Sequence, residues 1–588
     1  MTNSPSGTAS ILIEMETSVP AGRSERSVTA GRVPWAMVGL ALLVVLTTTV
    51  LMVAGGSEVG ATWDERIHAL MTQTYFLTGW YASPDWLVDG DLDPFTGKWP
   101  YFVYAPVASL IAHAAAVLTG NESWNGFSDS AAAHAARHLG TAAIAAAGVL
   151  GVFGITRTIT RSWRWAVVSA AVLASTPMWI GHGMFNVKDL PVGTGYTLAT
   201  LGLVLVVRRD YARRTGLRVL AWASLTVGVI LAVGTRPASG LPIALTAIVM
   251  SGVGLVLLVR SRRRPRLKGR GLWPRAIDPV GGLALAYVVL TAVYPNGFIN
   301  PWRLVKETLL ISGRFPVYDL QLTNGVWLSQ PPPWTYLPTW FGAQLPLLVI
   351  IGCAMFAVWW LVLVVRLARR GRGGGRGLER VLLPVPVIAQ ALLFALLAIA
   401  VQSTIYNGVR QFLFVLPAVA VLATLGIRAL VAGLGSHRVV GALVWVGVAV
   451  GLVVPTIDQI RLFPYGYVYF NEIASLKPID GNWATDYWRA SGRELVRIIP
   501  PGTTSCVLVD ERRPLTPCDG DATLKPFWAE RGLDARPGEL GINEYWLVRE
   551  NGGAVKPPPG CVLHDEITRP LRGQQITIAQ VLRCGVPR

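Results

Sequence analysis

The chain has 588 residues, of which 52% are hydrophobic and only 15% are charged, and its mean hydropathy is +0.46. A soluble enzyme of this length would carry more charge, so the composition indicates a polytopic membrane protein. The formal net charge of +18 does not indicate nucleic-acid binding. The basic residues stand in short blocks between apolar runs, as they do in cytoplasmic loops.

The N-terminal part predicts the orientation of the chain. Residues 1–32 are expected to be a disordered cytoplasmic segment, and the apolar run 33–55 is long enough to cross about 30 Å of hydrocarbon. Arg23, Arg26 and Arg32 precede this run, so the positive-inside rule places the N-terminus in the cytoplasm. The run lacks the features of a cleaved signal peptide and is predicted to be a retained helix.

Residues 56–130 are rich in Asp and Glu and are therefore predicted to form an acidic outer loop. The apolar stretch 102–118 within this loop contains Pro106 and His113 and is short for a crossing. A crossing there would also place the basic residues 157–164 on the wrong side of the membrane. We therefore expect the stretch to lie along the membrane interface.

Alternation of apolar runs and basic turns predicts a transmembrane domain over residues 33–456. About eleven spans are predicted, at 33–55, 131–155, 165–181, 190–207, 219–234, 240–259, 277–294, 341–365, 381–402, 409–428 and 438–456. An outer loop rich in Pro and Trp occupies residues 295–340, and residues 457–588 are left outside. The protein is thus predicted to lie in the plasma membrane with an extracytoplasmic C-terminus.

The C-terminal segment 457–588 is predicted to be a small extracytoplasmic α/β domain, because short β-like runs alternate with Pro and Gly turns. These runs are 506–509, 545–548 and 575–579. The segment contains four cysteines, Cys506, Cys518, Cys561 and Cys584. An even number in an outer domain suggests disulfides, with neighbours in sequence as the preferred pairs. A zinc site is the alternative, although the spacings contain no C-x-x-C motif.

Two acidic motifs fall at predicted membrane exits on the same side. Asp64 and Glu65 follow the first span, and Asn186, Lys188 and Asp189 precede the fourth. Carboxylates at a membrane rim are costly unless they have a role, so their convergence predicts a functional site. The alternative is a structural role in which each Asp caps the helix that follows it.

Further motifs follow along the chain: Thr235-Arg236-Pro237, the Pro-rich run 331–338, 406–411 with Tyr406 and Arg410, 467–472 and Asp486-Tyr487-Trp488. Together with the acidic motifs, this arrangement resembles the GT-C glycosyltransferases. Within them it is most similar to the protein O-mannosyltransferase-like branch, which includes the aminoarabinose transferases of lipid A. The resemblance covers most of the membrane region. It implies transfer of a sugar from a polyprenyl phosphate donor to a glycan, lipid or protein acceptor on the outer face.

The chemistry expected for such an enzyme assigns roles to the motif residues. Lys188, Arg236 and Arg410 are cations at helix ends that could bind the donor phosphate, with Asn186 and Tyr406 as further substrate contacts. Snorkelling to lipid phosphates is the alternative for the two arginines. A carboxylate must take the proton of the acceptor hydroxyl, and Asp64 is the first choice for this general base.

Glu65 and Asp189 are predicted to position the acceptor or to hold a divalent cation such as Mg²⁺ or Mn²⁺. His182, Glu65 and Asp189 could make a mixed N/O metal site, although no spacing in the sequence requires one. Two other classes of function remain open: a transporter or flippase of a lipid-linked or soluble substrate, and a non-catalytic sugar-binding subunit of the cell envelope. The sequence contains no pair of matching inverted halves, which are typical of transporters.

Overall fold

The computed structural model describes residues 34–82, 104–250, 273–294, 300–302, 306, 321–369, 375–434, 437–499, 507–508, 524–528, 545–550, 557 and 559–584. The first nine helices are α1 (Trp35–Glu58), α2 (Glu65–Thr78), α3 (Pro106–Leu118), α4 (Ala131–Thr160), α5 (Trp163–Ala174), α6 (Pro177–Gly183), α7 (Leu190–Val207), α8 (Thr215–Val233) and α9 (Pro237–Met250). They are followed by α10 (Trp273–Val293), α11 (Tyr336–Gln344), α12 (Leu347–Arg369), α13 (Gly375–Leu382), α14 (Val385–Ala400), α15 (Val415–Gly433), α16 (Arg438–Arg461), α17 (Gly492–Ile498) and α18 (Lys525–Trp528). The strands are β1 (Gln321–Thr323), β2 (Val326–Leu328), β3 (Val507–Leu508), β4 (Tyr545–Glu550), β5 (Cys561–Leu571) and β6 (Gln574–Cys584).

The chain is a multi-pass membrane protein built mainly from apolar helices. Within the described ranges, eight helices are long and apolar enough to cross a bilayer: α1, α4, α7, α8, α12, the pair α13 and α14 taken together, α15 and α16. The helices α5, α9 and α10 are shorter apolar helices at three of the other predicted spans. The count of eleven therefore stays a prediction at these three positions. Helix α3 has 13 residues, which at about 1.5 Å per residue is too short to cross the hydrocarbon.

Proline residues break two of the predicted spans. The span 165–181 is divided at Pro177, which begins α6, while α5 ends at Ala174. Proline lacks a backbone N–H, and it keeps the residue before it out of the helical region. The span 341–365 is divided in the same way, because Pro346 separates α11 from α12.

The predicted span 409–428 also begins differently in the structure. Its first residues form a 3₁₀ turn, Arg410–Phe412, and the regular helix α15 starts only at Val415. Arg410 therefore lies in the turn before the helix, where its side chain can point across the end of the bundle.

Helices α7 and α8 pack through glycines that allow their backbones to touch. A Cβ atom on Gly195 would lie 2.5 Å from the backbone nitrogen of Ala232, and one on Gly228 would lie 2.3 Å from that of Ala199. Small residues at helix contacts permit such close packing in membranes. Because the two helices are sequential and antiparallel, the start of α7 and the end of α8 lie at the same end of the bundle.

Several basic loops contact one another at the opposite end. Arg161 pairs with Glu379 at 3.4 Å, Arg218 pairs with Asp278 at 2.8 Å, and the side chain of Arg275 donates to the carbonyl of Arg208. This clustering agrees with the predicted inner loops. The orientation of the termini relative to the cytoplasm remains a prediction.

The described C-terminal part contains a four-stranded sheet in the order β3-β4-β6-β5. Strands β3 and β4 are parallel and the other pairs are antiparallel. The β5–β6 turn carries Arg572, which pairs with Asp458 at 2.5 Å and with Glu472 at 2.8 Å. These ion pairs hold the sheet against the end of α16.

The structure bears on two of the four cysteines predicted to form disulfides. The strand register sets Cys561 opposite Cys584, which suits the predicted pair. Cys506 and Cys518 lie outside the described residues. Both pairings stay predictions.

Candidate active site

The site begins at the turn between α6 and α7. The side-chain oxygen of Asn186 accepts hydrogen bonds from the backbone nitrogens of Lys188 (3.0 Å) and Asp189 (2.7 Å). Such a side-chain turn is typical of Asn before a helix, and Pro191 then fits the first turn of α7. The turn fixes the directions in which Lys188 and Asp189 project.

Asp189 is an ion-pairing residue rather than a helix cap. It stands at the N-cap position of α7, but its side chain makes no capping hydrogen bond. Its carboxylate lies 2.5 Å from Nη2 of Arg236 and 3.4 Å from Nε of Arg410. Arg236 follows the end of α8, so Asp189 joins three separate segments of the chain.

Asp64 likewise makes no side-chain cap to α2, the helix that it precedes. Its carboxylate accepts a hydrogen bond from Nζ of Lys188 at 3.2 Å. Burial by itself raises the pKa of Asp64, but the charges of Lys188, His68 and Arg410 outweigh burial and lower that pKa to about 2. Asp64 is therefore ionised at neutral pH.

Three cations and two carboxylates thus meet at one end of the bundle, and we call these five residues the ionic cluster. They are Lys188, Arg236, Arg410, Asp64 and Asp189. Both Lys188 and Arg410 are almost fully buried. The cluster has one positive charge in excess, which a singly charged anion would neutralise.

Aromatic rings surround these cations. Lys188 and Arg236 lie over the ring of Tyr104, at 4.8 and 5.5 Å from its centroid. Arg410 lies over Tyr406 at 5.2 Å and over Trp488 at 4.3 Å. Cation–π contacts of this kind stabilise charged side chains where water is scarce.

The cluster retains a donor that the described residues do not satisfy. Nε of Arg236 is buried and makes no hydrogen bond within the described part of the chain, and the buried Nε of Arg410 has only the long 3.4 Å ion pair with Asp189. Leaving a buried donor unsatisfied costs about 1–3 kcal/mol, more for a charged group. Buried guanidinium N–H groups facing one cluster are the arrangement expected where an oxyanion binds.

Glu65 lies in a separate network, although it is adjacent to Asp64 in sequence. Its carboxylate accepts hydrogen bonds from the backbone and hydroxyl groups of Thr62, at 3.2 and 2.7 Å. It also contacts His138 at 3.0 Å and His134 at 3.3 Å. These bonds keep the pKa of Glu65 well below its usual value, even though burial by itself raises it.

The predicted metal site of His182, Glu65 and Asp189 is not formed. His182 is fully buried, with Nδ1 3.0 Å from the amide nitrogen of Asn186 and Nε2 3.2 Å from the hydroxyl of Tyr487. Glu65 is directed to His134 and His138 instead. Within the described residues, no group of three His, Cys, Asp or Glu side chains could hold a metal ion.

Sequence reasoning missed several residues around the site. Tyr104, His134 and His138 were not predicted, and Trp488 was only part of a motif. His134 and His138 are four residues apart and therefore share one face of α4, a spacing that is visible in the sequence. Tyr104 and Trp488 come from distant segments, and no local pattern indicates their contact with the cations.

No protein-family model matches the chain, and no curated protein matches it. Among solved structures, the chain is similar to ArnT from Cupriavidus metallidurans bound to undecaprenyl phosphate, with 16% sequence identity and a TM-score of 0.44 over 92% of this chain and 98% of that chain. It is also similar to the apo state of that protein, with 16% identity and a TM-score of 0.42 over 93% and 98%.

Proposed function

We propose that this protein is a membrane glycosyltransferase that moves a sugar from a polyprenyl phosphate donor to an acceptor on the outer face of the plasma membrane. The observation that supports the proposal most directly is the ionic cluster at the end of an apolar helical bundle. A donor with a polyprenyl tail needs a lipid-facing surface for the tail and buried cations for its phosphate.

The charge of the cluster suits such a donor. A sugar phosphodiester of a polyprenol carries one negative charge, which matches the single positive charge in excess. Breaking the sugar–phosphate bond adds a second negative charge to the phosphate that leaves. The guanidinium groups of Arg236 and Arg410 would bind this developing charge, so the cluster would stabilise the transition state more than the ground state.

Asp64 is the proposed general base. It is ionised, and it contacts Lys188, one of the cations of the proposed phosphate site. It is also the more exposed of the two carboxylates in the cluster. Its low pKa makes it a weak base in this state. When Lys188 turns to the donor phosphate, the pKa of Asp64 rises because the largest of the charges that offset burial has moved away, and the carboxylate becomes better suited to accept the acceptor proton.

Asp189 has a different proposed role. Its side chain is 1% exposed and lies between two guanidinium groups, so it is poorly placed to reach an acceptor. We assign it the task of orienting Arg236 and Arg410 towards the phosphate. Asn186 fixes the turn that carries Lys188, and Tyr406 supports Arg410 from one side.

The test is transfer of radiolabelled sugar from synthetic polyprenyl phosphate donors to acceptors in a membrane fraction. We expect the wild type to use one donor, and Asp64→Asn to lose transfer by about 10²–10⁴-fold, the range for a general base. Donor binding should persist in this variant. Asp210→Asn is the matched control, because Asp210 pairs with Arg208 and Arg214 in a basic turn away from the cluster.

Two outcomes would count against the proposal. If the wild type uses none of the donors, the transporter and binding-subunit alternatives become the better hypotheses. If Asp64→Asn transfers sugar as fast as Asp210→Asn at equal expression, Asp64 is not the base.

A further inference from the structure

The network around Glu65 lies next to the ionic cluster, and its carboxylates are all hydrogen-bonded. Glu65 accepts two hydrogen bonds from Thr62 and faces two histidines of α4, His134 and His138. A carboxylate has about four acceptor positions, and these four contacts surround both oxygens of Glu65. Glu65 is therefore poorly placed to accept the proton of an acceptor hydroxyl.

Hydrogen-bond accounting fixes the protonation of His138. Its Nδ1 lies 2.6 Å from the carbonyl oxygen of Gly56, and its Nε2 lies 3.0 Å from Glu65. Both partners can only accept, so both ring nitrogens must carry a proton. His138 is thus an imidazolium that joins the end of α1 to the start of α2.

His134 does not have this constraint. Its ring contacts Glu65 and Asp129, but Nη1 of Arg137 also lies 3.2 Å from its Nδ1 and can donate to it. If Arg137 donates to Nδ1, the ring is neutral and donates only to Asp129, and its 3.3 Å contact with Glu65 is then not a hydrogen bond. The hydrogen bonds therefore determine the protonation of His138 but not that of His134.

The position of this network gives it a link to the proposed chemistry. Thr62 and Glu65 bracket Asp64 in sequence, and both ends of this short segment are held by the same carboxylate. The backbone between them can adopt few other conformations while Glu65 keeps its four contacts. Asp64 is consequently held at the distance at which Lys188 reaches it.

From these contacts we propose that Glu65 and doubly protonated His138 are positioning residues that hold Asp64 against the ionic cluster. The inference rests on the proposed function, and it replaces a direct catalytic or metal-binding role for Glu65. Neither residue touches the reacting atoms in this account. They act on the reaction only through the placement of Asp64.

Other charged and titratable groups also face His138 and its surroundings. They are Glu65 and His68 of α2, His113 of α3, His134 and Arg137 of α4, and Glu122 and Asp129 of the loop before α4. A small cavity lies beside His138, lined also by Ser109, Ala112 and Phe185. This cavity is important for the test, because removal of the His138 ring would enlarge it.

The first part of the test is a double-mutant cycle with Glu65→Gln and His138→Gln. We expect each single variant to lower kcat by about 10–100-fold, the usual cost of removing a supporting group, with the KM values for donor and acceptor unchanged. Because both residues act through one contact, the double variant should be no slower than the slower single variant. Multiplication of the two factors would overturn the proposal.

The second part is chemical rescue of His138→Ala by imidazole. Removal of the ring enlarges the neighbouring cavity, so added imidazole should bind there and raise the kcat of His138→Ala at least tenfold. The rescue should follow the concentration of imidazolium and fall as the pH rises above the pKa of imidazole. Rescue that follows neutral imidazole, or no rescue in a variant that keeps the thermal midpoint of the wild type, would refute the role of a doubly protonated His138.

The two proposals fail in different ways. Without any transfer by the wild type, both the proposed function and this inference fall. The wild type could transfer sugar while the factors of the two single variants multiply and imidazole does not rescue His138→Ala. That result leaves the glycosyltransferase proposal in place and removes only the positioning role.

Discussion

Two buried polar groups of residues stand side by side at one end of the bundle, and they differ in how well their members satisfy one another. The ionic cluster has one positive charge in excess, and Nε of Arg236 makes no hydrogen bond among the described residues. In the network around Glu65, every carboxylate is hydrogen-bonded, although Nε of Arg137 and Nε2 of His68 make no hydrogen bond among the described residues. Similar residue types thus serve two different purposes.

The comparison teaches that adjacency in sequence is a poor guide to shared chemistry. Asp64 and Glu65 are neighbours, yet one faces Lys188 and the other faces His138. A buried group with a net positive charge can take up an anion, whereas carboxylates that are already hydrogen-bonded contribute to stability or placement. Substitutions in the two groups should therefore have different effects.

The largest effect on stability is expected at Glu122 in the network around Glu65. Its carboxylate pairs with Arg137 at 2.9 Å and with His113 at 2.9 Å, and its side chain is 1% exposed. Glu122→Ala should lower the free energy of unfolding by about 3 kcal/mol, because the Arg137 guanidinium loses a buried counter-ion and His113 loses a hydrogen-bond partner. Thermal unfolding in detergent measures this change, and undiminished stability would show that the network is not stabilised by these bonds.

At Arg410, in the ionic cluster, the main effect should be on donor binding. Arg410→Gln removes one charge-assisted phosphate contact, and donor affinity should fall by about 10–100-fold. Titration with labelled polyprenyl phosphate measures the change. Arg428→Gln is a suitable control, because Arg428 lies near the other end of α15. Equal affinity in the two variants would contradict the phosphate role.

The close approach behind His182 offers a test of packing. A Cβ atom on Gly181 would lie 2.2 Å from the backbone nitrogen of Tyr467, whereas one on Gly441 would meet nothing within 4 Å. Gly181→Ala should therefore lower stability by about 1–3 kcal/mol through overpacking. Gly441→Ala, also in a helix, should be neutral or slightly stabilising. Equal thermal midpoints for the two variants would show that α6 is not fixed against the 3₁₀ turn at Gly466–Val468.

The smallest effect expected is a shift in pH dependence. Lys188 is the main charge that holds the pKa of Asp64 at about 2, below its ordinary value of 3.8. In Lys188→Met that pKa should rise, because burial then dominates, and the ionised base should be lost at a higher pH. The acid limb of kcat/KM for the donor, which reports the free enzyme, should move up in Lys188→Met and stay low in Lys188→Arg. If the acid limb does not move in Lys188→Met, Asp64 is not the general base.

Much of the membrane fold could be predicted from the sequence, because the length and composition of apolar runs are local properties. The run 33–55 corresponds to α1, and 190–207 coincides with α7. The breaks at Pro177 and Pro346 were missed, since the apolar window continues across both residues. Strand β5 was missed because its sequence mixes charges and a proline with only a few apolar residues.

The candidate site was predicted in part. Asp64, Lys188, Asp189, Arg236 and Arg410 were named as residues at one membrane face, and the structure brings their side chains into contact. The partners of Glu65 and His182 could not be predicted, because hydrogen-bond partners depend on side-chain direction across helices. The metal site was predicted from residue type alone, and in the structure its residues have other partners.

The contacts of Tyr487 and Trp488 have a consequence for the order in which the protein matures during synthesis. These two residues follow the last apolar helix, yet Tyr487 contacts His182 and Trp488 covers Arg410. A nascent chain that has inserted all of its membrane helices therefore has the cations of the site without their cover. The arrangement of the site in the folded protein therefore forms only after the segment that follows α16 has been translated and has folded back onto it.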